Sequence, residues 1–372
     1  PDGTVYSSTL GSTAIGWIGN RVQELAGPVA GYTPFSQVVG PGQAGIWQIK
    51  FIAPRTAGAI SSSGVGGGAN ASWTGQLVNT NAIRAWDATV FDAANNPVPG
   101  RVYTQIMNMY ISGSGYFGKV FVLTNDGYVY KVNNNGQNGI GFMYFVNNKG
   151  LTTGTGDDAL PSYKSLNKVT DIPVKDPREP DGANSITHKI FYTMPDPGMP
   201  ATSVLPGGSS TWLFTPKVIP TVSNMSIEGV EGTTGQVGHK GATIKFDANM
   251  TGTFRIKISG PGIVTREIRG VASIGANSAF WDGKDGSGAY PAPGISTITV
   301  AVQLQGAEVH FPFIDLEYNS RGLIIEQLNN DGSVKSDIVY WDDSDITSTS
   351  TAPSNPMENG NDGSGISSNL NG

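Results

Sequence analysis

The residues that come closest to a chemical site by type and spacing are five aspartates in the C-terminal third of the chain. They are Asp282, Asp285, Asp342, Asp343 and Asp345. The first two lie at odd spacing in the stretch "FWDGKDGSGAYPAPG", loosely as ligands are spaced in an EF-hand loop, and carboxylate oxygens are ligands that Ca²⁺ prefers. If the fold brings the two acidic groups together, the pattern predicts a calcium site.

The same stretch also carries strong turn signals, which give a second interpretation. Asp282-Gly283 and Asp285-Gly286 are turn dipeptides. Lys284 occupies an inner position of the would-be calcium loop, and no glutamate follows where a bidentate ligand should lie. These departures favour a long connection between two strands, with Trp281 packed as a lid on a sandwich core.

Residues for catalysis are sparse. The three histidines, His188, His239 and His310, are far apart in the chain, and no Gly-x-Ser-x-Gly motif is present. The carboxylates are scattered, with many beside glycine in turns, and the chain has no cysteine. The sequence therefore predicts no enzyme and no resident cofactor, with calcium as the one ion that the aspartates could hold.

Aromatic residues offer a binding role instead. Trp73, in "NASWTGQ", is the tryptophan whose polar surroundings best suit exposure, and exposed rings can stack on sugar faces. Trp47, Trp86 and Trp281 lie in strand-like patterns that more often fill cores. A carbohydrate-binding surface module is thus the main alternative function, with surface glycans as its partners.

The composition narrows the class of protein. The 372 residues include 51 glycines and 23 prolines, which suits short strands joined by tight turns. Only 14% of residues are charged, the net charge is −6 and no basic block occurs, so neither nucleic acid nor an anionic membrane is an expected partner. No apolar run reaches the length of a transmembrane helix. The low charge and abundant Gly, Ser, Thr and Asn indicate an extracellular or cell-surface location.

The elements that must position these residues are mostly strands. Period-two alternation predicts strands over 45–54 and 82–91, and 119–132 reads as a hairpin with its turn at Asn125-Asp126-Gly127. A short helix is predicted over 20–28, stopped by Gly27 and Pro28, and another turn of helix over 162–169. Strand signals recur at short spacing from 242 to 341.

This pattern predicts an all-β fold of tandem β-sandwich (Ig-like) domains with long Gly/Asn-rich loops. The prolines near 216 mark a boundary, which gives an N-terminal β-sandwich-rich region at 1–216 and an Ig-like sandwich at 217–346. The polar segment 347–372 is expected to be disordered or to dock on a neighbouring copy. Its Thr347, Met357 and Leu370 are then the candidate assembly contacts.

The motif "WDGKDGSGAYPAPG" resembles the Ig-like module of flagellar hook-capping proteins and of many bacterial surface-protein sorting domains. That module has a Trp-Asp-Gly hairpin with later glycines, and Trp281, Asp282, Gly283, Asp285, Gly288 and Gly294 match it. Ile295 departs from it, because a tyrosine usually follows the last glycine. The resemblance implies a fold and says little of function.

A wider resemblance covers 110–150 and 306–346, which are similar to stretches of very large surface proteins of gliding, Bacteroidetes-type bacteria. Such proteins are typically exported by the type IX secretion system and act as adhesins or fibres. The resemblance implies a non-enzymatic extracellular structural or adhesive protein. It would form a homo-oligomer or filament through exchange of strands or of the C-terminal tail.

Overall fold

The computed structural model describes residues 2–6, 15–16, 18, 20–50, 86–162, 173–232, 234–292, 297–305, 308–311, 322–342 and 362–369. Within its strands, only the backbone is described at 108–114, 138–143, 341–342 and 362–365. Backbone contacts divide the chain into two units. The first comprises Pro1–Val102 with Asp196–Thr215, and the second comprises Tyr103–Pro195 with Pro216–Gly372.

The described residues form one helix and eighteen strands, so the prediction of an all-β fold is confirmed. In chain order the elements are α1 (Arg21–Ala26), β1 (Tyr103–Thr104), β2 (Ile106–Tyr116), β3 (Lys119–Leu123), β4 (Val129–Asn133), β5 (Gln137–Phe145), β6 (Lys189–Phe191), β7 (Thr202–Val204), β8 (Ser210–Trp212), β9 (Val222–Gly229), β10 (Ala242–Ala248), β11 (Gly252–Gly260), β12 (Ile263–Ala272), β13 (Gly275–Trp281), β14 (Thr299–Gln305), β15 (Ile324–Leu328), β16 (Val334–Ser336), β17 (Ile338–Asp342) and β18 (Asp362–Ser367).

The first unit contains α1 and the β7–β8 hairpin. The helix begins where predicted, because the Asn20 side chain accepts a hydrogen bond from the Gln23 amide, and it ends at Gly27 with a φ of 74°. The Ile46 amide donates to the Val204 carbonyl at 2.8 Å and so ties the early chain to β7.

The second unit holds a six-stranded antiparallel sheet in the order β1-β6-β3-β4-β15-β16. The predicted hairpin forms its centre as β3 and β4, which turn through Gly127 at a φ of 85°. Its core is apolar and aromatic. The core contains Val120, Val122, Tyr128, Tyr130, Val132, Tyr144, Val146 and Ile190.

The same unit holds a sandwich of two three-stranded antiparallel sheets, ordered β13-β10-β9 and β12-β11-β14. Alternate residues of the central strands β10 and β11 point inward, as the period-two pattern requires. The core includes Ile244, Phe246, Phe254, Ile256, Ile258 and Trp281. The sandwich architecture follows from the pairing, and its Ig-like character stays a prediction.

Two parts of the chain differ from the local sequence pattern. The predicted strands over 45–54 and 82–91 are irregular in their described residues, apart from an isolated bridge between Phe91 and Pro97. Alternation alone did not give a strand there, because no ladder of neighbouring backbone forms beside these residues in the described part of the chain.

In the second unit β15 pairs with β4, so one sheet takes strands from both sides of residue 217.

Candidate functional site

The loop after β13 uses its first aspartates to hold its own backbone. Asp285 Oδ1 accepts hydrogen bonds from the Ser287 amide at 2.9 Å, the Ser287 hydroxyl at 2.6 Å and the Ala289 amide at 3.2 Å. Its Oδ2 accepts from the Val264 amide at 3.3 Å, and Asp282 Oδ1 accepts from the Lys284 amide at 3.1 Å. The described contacts of both carboxylates are thus those of turn formation.

The rest of this loop supports the turn interpretation. Trp281 is buried and its indole N–H donates to the Lys284 carbonyl at 2.7 Å. The Gly286 amide donates to the Val264 carbonyl at 2.9 Å. A Cβ on Gly286 would lie 2.1 Å from the Thr265 carbonyl oxygen, so this glycine allows the loop to lie directly on β12.

The second acidic group of the predicted calcium site is Asp342, Asp343 and Asp345, and the structure does not describe their carboxylates. Asp342 ends β17, where only the backbone is described, and Asp343 and Asp345 lie outside the described residues. Among the residues that the structure describes, no group of three or more histidine or acidic side chains could hold a metal ion. The calcium site therefore stays a prediction.

A buried polar cluster lies at the end of β5 and the start of β6. His188 and Lys189 are each 1% exposed. Burial lowers the pKa of His188 to about 3 and that of Lys189 to about 7, because the interior disfavours the charged forms. The Lys189 ammonium nitrogen lies 5.3 Å from the centre of the Tyr103 ring, and Asp181 partly opposes its pKa shift.

Next to these residues, Asn147 and Glu308 hold the segment 308–311. The backbones of Asn147 and His310 exchange hydrogen bonds at 3.1 and 3.0 Å. Glu308 Oε1 accepts from the Thr253 amide at 2.7 Å, while its Oε2 lies 3.3 Å from His310 Nε2. Glu308 thus links this segment to β11 of the sandwich. The contacts of the Glu308 carboxylate therefore have a structural role, since they join this segment to the sandwich.

Local sequence reasoning missed this cluster. In the sequence His188 is one of three dispersed histidines, and no local pattern marks Lys189. The available signal was the placement of both residues at the start of the strand-like run "HKIFYTM". In chemical terms a buried lysine with a lowered pKa is a potential nucleophile, but the Lys189 side chain is enclosed by packing.

Many apolar side chains of residues 2–50 are exposed to solvent, and we call this set of side chains the N-terminal apolar surface. Among the described residues of 2–102, no large apolar side chain is buried. Val5, Val29 and Val38 are 87%, 88% and 82% exposed, and α1 has no buried residue. Exposed apolar side chains mark a contact site where they lie together in one patch.

Val29 combines this exposure with an unfavourable backbone. Its φ is 76°, in the left-handed region that β-branched residues rarely adopt. The turn is held by the Val29 amide, which donates to the Tyr32 carbonyl at 2.8 Å, and by the Gly31 amide, which donates to the Gly27 carbonyl at 2.8 Å. The strained turn presents an apolar side chain outward, where nothing in the described chain covers most of it.

The C-terminal tail contributes a strand to its own chain in its described part. Asp362–Ser367 forms β18 and pairs antiparallel with β17, with Val339 opposite Ile366. The sequence predicted no strand here, because the tail has few apolar residues. Of the residues expected to make assembly contacts, Thr347, Met357 and Leu370 lie outside the described residues, as does the glycan candidate Trp73.

Comparison with other proteins gives no family for this chain. No protein-family model, no curated protein and no solved structure matches it. In the described part of the chain, no helix has the length and apolar character needed to cross a membrane. The functional argument therefore rests on the surfaces and strand edges described above.

Proposed function

We propose that the chain is a non-enzymatic extracellular structural or adhesive protein that assembles with further copies of itself. The observation that carries the proposal is the N-terminal apolar surface. Among the described residues of 2–102, no large apolar side chain is buried in a core that could account for these exposed side chains. Burying that surface against another molecule would gain roughly 25 cal/mol for each Å² removed from water.

A second copy is the partner that the chain favours. Charged residues are only 14% of the sequence, so electrostatic repulsion between copies is weak. The β17–β18 ribbon pairs with no further strand among the described residues, and open strand edges readily join other strands. The resemblance to bacterial surface adhesins supports the same function and an extracellular location.

The test compares the full chain with a variant that carries Val29→Asp and Val38→Asp. Both positions are more than four-fifths exposed, so the substitutions place charge on the surface without opening a core. The wild-type chain should form concentration-dependent oligomers in sedimentation velocity and fibres or clusters in negative-stain electron microscopy. The double variant should sediment as a monomer, with at least a tenfold weaker association.

Ile274→Asp is the matched control, because Ile274 is 72% exposed but lies in the loop between β12 and β13 of the sandwich. Its assembly should equal that of the wild type. A wild-type chain that remains monomeric at millimolar concentration, or a double variant that assembles like the wild type, would contradict the proposal.

A further inference from the structure

The tail strand β18 is held by a short set of defined contacts. It pairs with β17 over a ladder that shifts register between Tyr340 and Asp342. Ile366 is the one large apolar residue in its sequence, and its side chain is only partly buried. A two-stranded ribbon with so little apolar burial is marginally stable by itself.

Beyond the ladder, the tail fills a specific gap at the edge of the six-stranded sheet. The β15–β16 pairing ends at Gln327 and Ser336, which leaves Ile325 without a β16 partner. There the Ser368 hydroxyl accepts from the Ile325 amide at 3.0 Å and donates to the Ile325 carbonyl at 2.9 Å. One serine side chain thus satisfies both backbone groups that a further strand residue would have paired.

Asp337 completes the attachment. Its carboxylate accepts a hydrogen bond from the Ser367 hydroxyl, and its backbone carbonyl accepts from the Ser368 amide at 2.8 Å. Because Asp337 lies between β16 and β17, the acceptor for the tail is a continuous edge made by Ile325, Asp337 and β17. We call this the tail acceptor.

The connection between the two partner strands is far longer than pairing within one chain requires. Hairpin strands are normally joined by two to five residues, whereas β17 ends at Asp342 and β18 begins at Asp362. A connection of about 20 residues can span up to about 65 Å when extended. That length allows the tail to reach the same edge on an adjacent molecule.

From these observations we propose that β18 exchanges between copies: the tail of one molecule occupies the tail acceptor of the next. The inference deepens the proposed self-assembly and rests on it. All the contacts described above are reproduced in the exchange, because every copy presents the same edge, and the ribbon gains no new strain. Exchange in one direction links copies into a chain, and reciprocal exchange closes a dimer.

The test uses the natural absence of cysteine in the sequence. Val339→Cys and Ile366→Cys are made in separate full-length chains, which are mixed in equal amounts, unfolded in urea, refolded together and oxidised. Directly opposite strand residues have Cβ atoms close enough for a disulfide after small adjustment. A covalent heterodimer on non-reducing electrophoresis is the expected result.

Thr299→Cys replaces Val339→Cys in the matched control, because Thr299 is an exposed strand residue on β14, away from the tail acceptor. This mixture should give at least tenfold less heterodimer. Removing the two Ile325 bonds by Ser368→Ala should lower the Val339–Ile366 cross-link about fivefold or more, while Asn369→Ala should leave it unchanged.

A chain that carries both Val339→Cys and Ile366→Cys distinguishes exchange between molecules from pairing within one molecule. Exchange predicts covalently linked species, a ladder of multimers if it runs in one direction and a dimer if it is reciprocal, whereas pairing within each molecule predicts an internally bonded monomer. No heterodimer in the mixture, together with an internally bonded monomer, would overturn strand exchange. If those same chains still associate through the N-terminal apolar surface, the proposed function stands and only the exchange fails.

Discussion

Asp285 shows how a nearly buried charge serves the structure of a loop. Its pKa lies below the ordinary value, first because the Ser287 hydroxyl donates to it and then because amides of Ser287, Val264 and Ala289 do so as well. A depressed carboxyl pKa means that the stabilisation is present above the ordinary pKa and is lost as the pH falls through the folded value. The loop should therefore hold its shape throughout the neutral range.

The charge on Asp285 is stabilised in the folded chain, whereas the charge on Lys189 is disfavoured there. The effect of Lys189 on the free energy of unfolding can be measured. Burial lowers its pKa from 10.5 to about 7, so between these values the unfolded chain binds a proton that the folded chain does not. The free energy of unfolding should therefore fall as the pH falls from 10.5 to 7, by up to about 1.4 kcal/mol per pH unit. Lys189→Met should remove most of this slope, as measured by urea unfolding at several pH values.

Lys257→Met is the control for that measurement, because Lys257 is an exposed lysine on β11. It should leave the slope as in the wild type. If Lys189→Met also leaves the slope unchanged, the dependence on pH arises from other groups and the account of Lys189 is wrong.

At the scale of elements, the contact between the loop after β13 and strand β12 depends on a missing side chain. Gly286→Ala would place a methyl group 2.1 Å from the Thr265 carbonyl oxygen, which is backbone and cannot rotate away. Overpacking of this kind typically costs about 1–3 kcal/mol. We expect a loss of that size in the free energy of unfolding, measured by chemical denaturation.

Gly238→Ala is the comparison variant, since no atom lies within 4 Å of a Cβ at that position. It should change the free energy of unfolding by less than about 0.5 kcal/mol. Equal effects of the two substitutions would show that the contact between Gly286 and β12 contributes nothing.

The elements that could be predicted from the sequence are those whose signals are local. The cap at Asn20, the stop at Gly27 and the turn at Gly127 each act within a few residues, and α1 and the β3–β4 hairpin follow from them. The pairing of β15 with β4 could not be predicted in this way, because strand partners distant in sequence leave no local signal.

The features of the candidate site also divide into those set by neighbouring residues and those set by residues distant in sequence. The turn role of Asp285 could be inferred from Asp-Gly dipeptides, because such turns are built from adjacent residues. The burial of Lys189 depends on a strand meeting β1 and β3, and the Ser368 bonds depend on the end of β16. These are properties of the assembled sheet.

For the molecule as a whole, apolar burial is distributed unevenly between the two units. The second unit has two clusters of buried apolar residues, while the described part of 2–102 has no buried large apolar side chain. Segments with little apolar burial open readily, so their protection depends on what covers them. Assembly should therefore protect the part of the first unit at 2–102 far more than the second unit.

Limited proteolysis with thermolysin, which cleaves beside apolar residues, tests this expectation. In dilute solution the first cuts, mapped by mass spectrometry, should fall between residues 20 and 50, where Leu25 and Val38 are exposed. At high concentration these cuts should slow at least tenfold, because association buries the surface. Cleavage beside Ile274, an exposed position in a sandwich loop, should proceed at the same rate in both solutions. N-terminal cuts that are equally fast at both concentrations would mean that this surface stays uncovered when the molecules are crowded together, and self-assembly would then need a different contact.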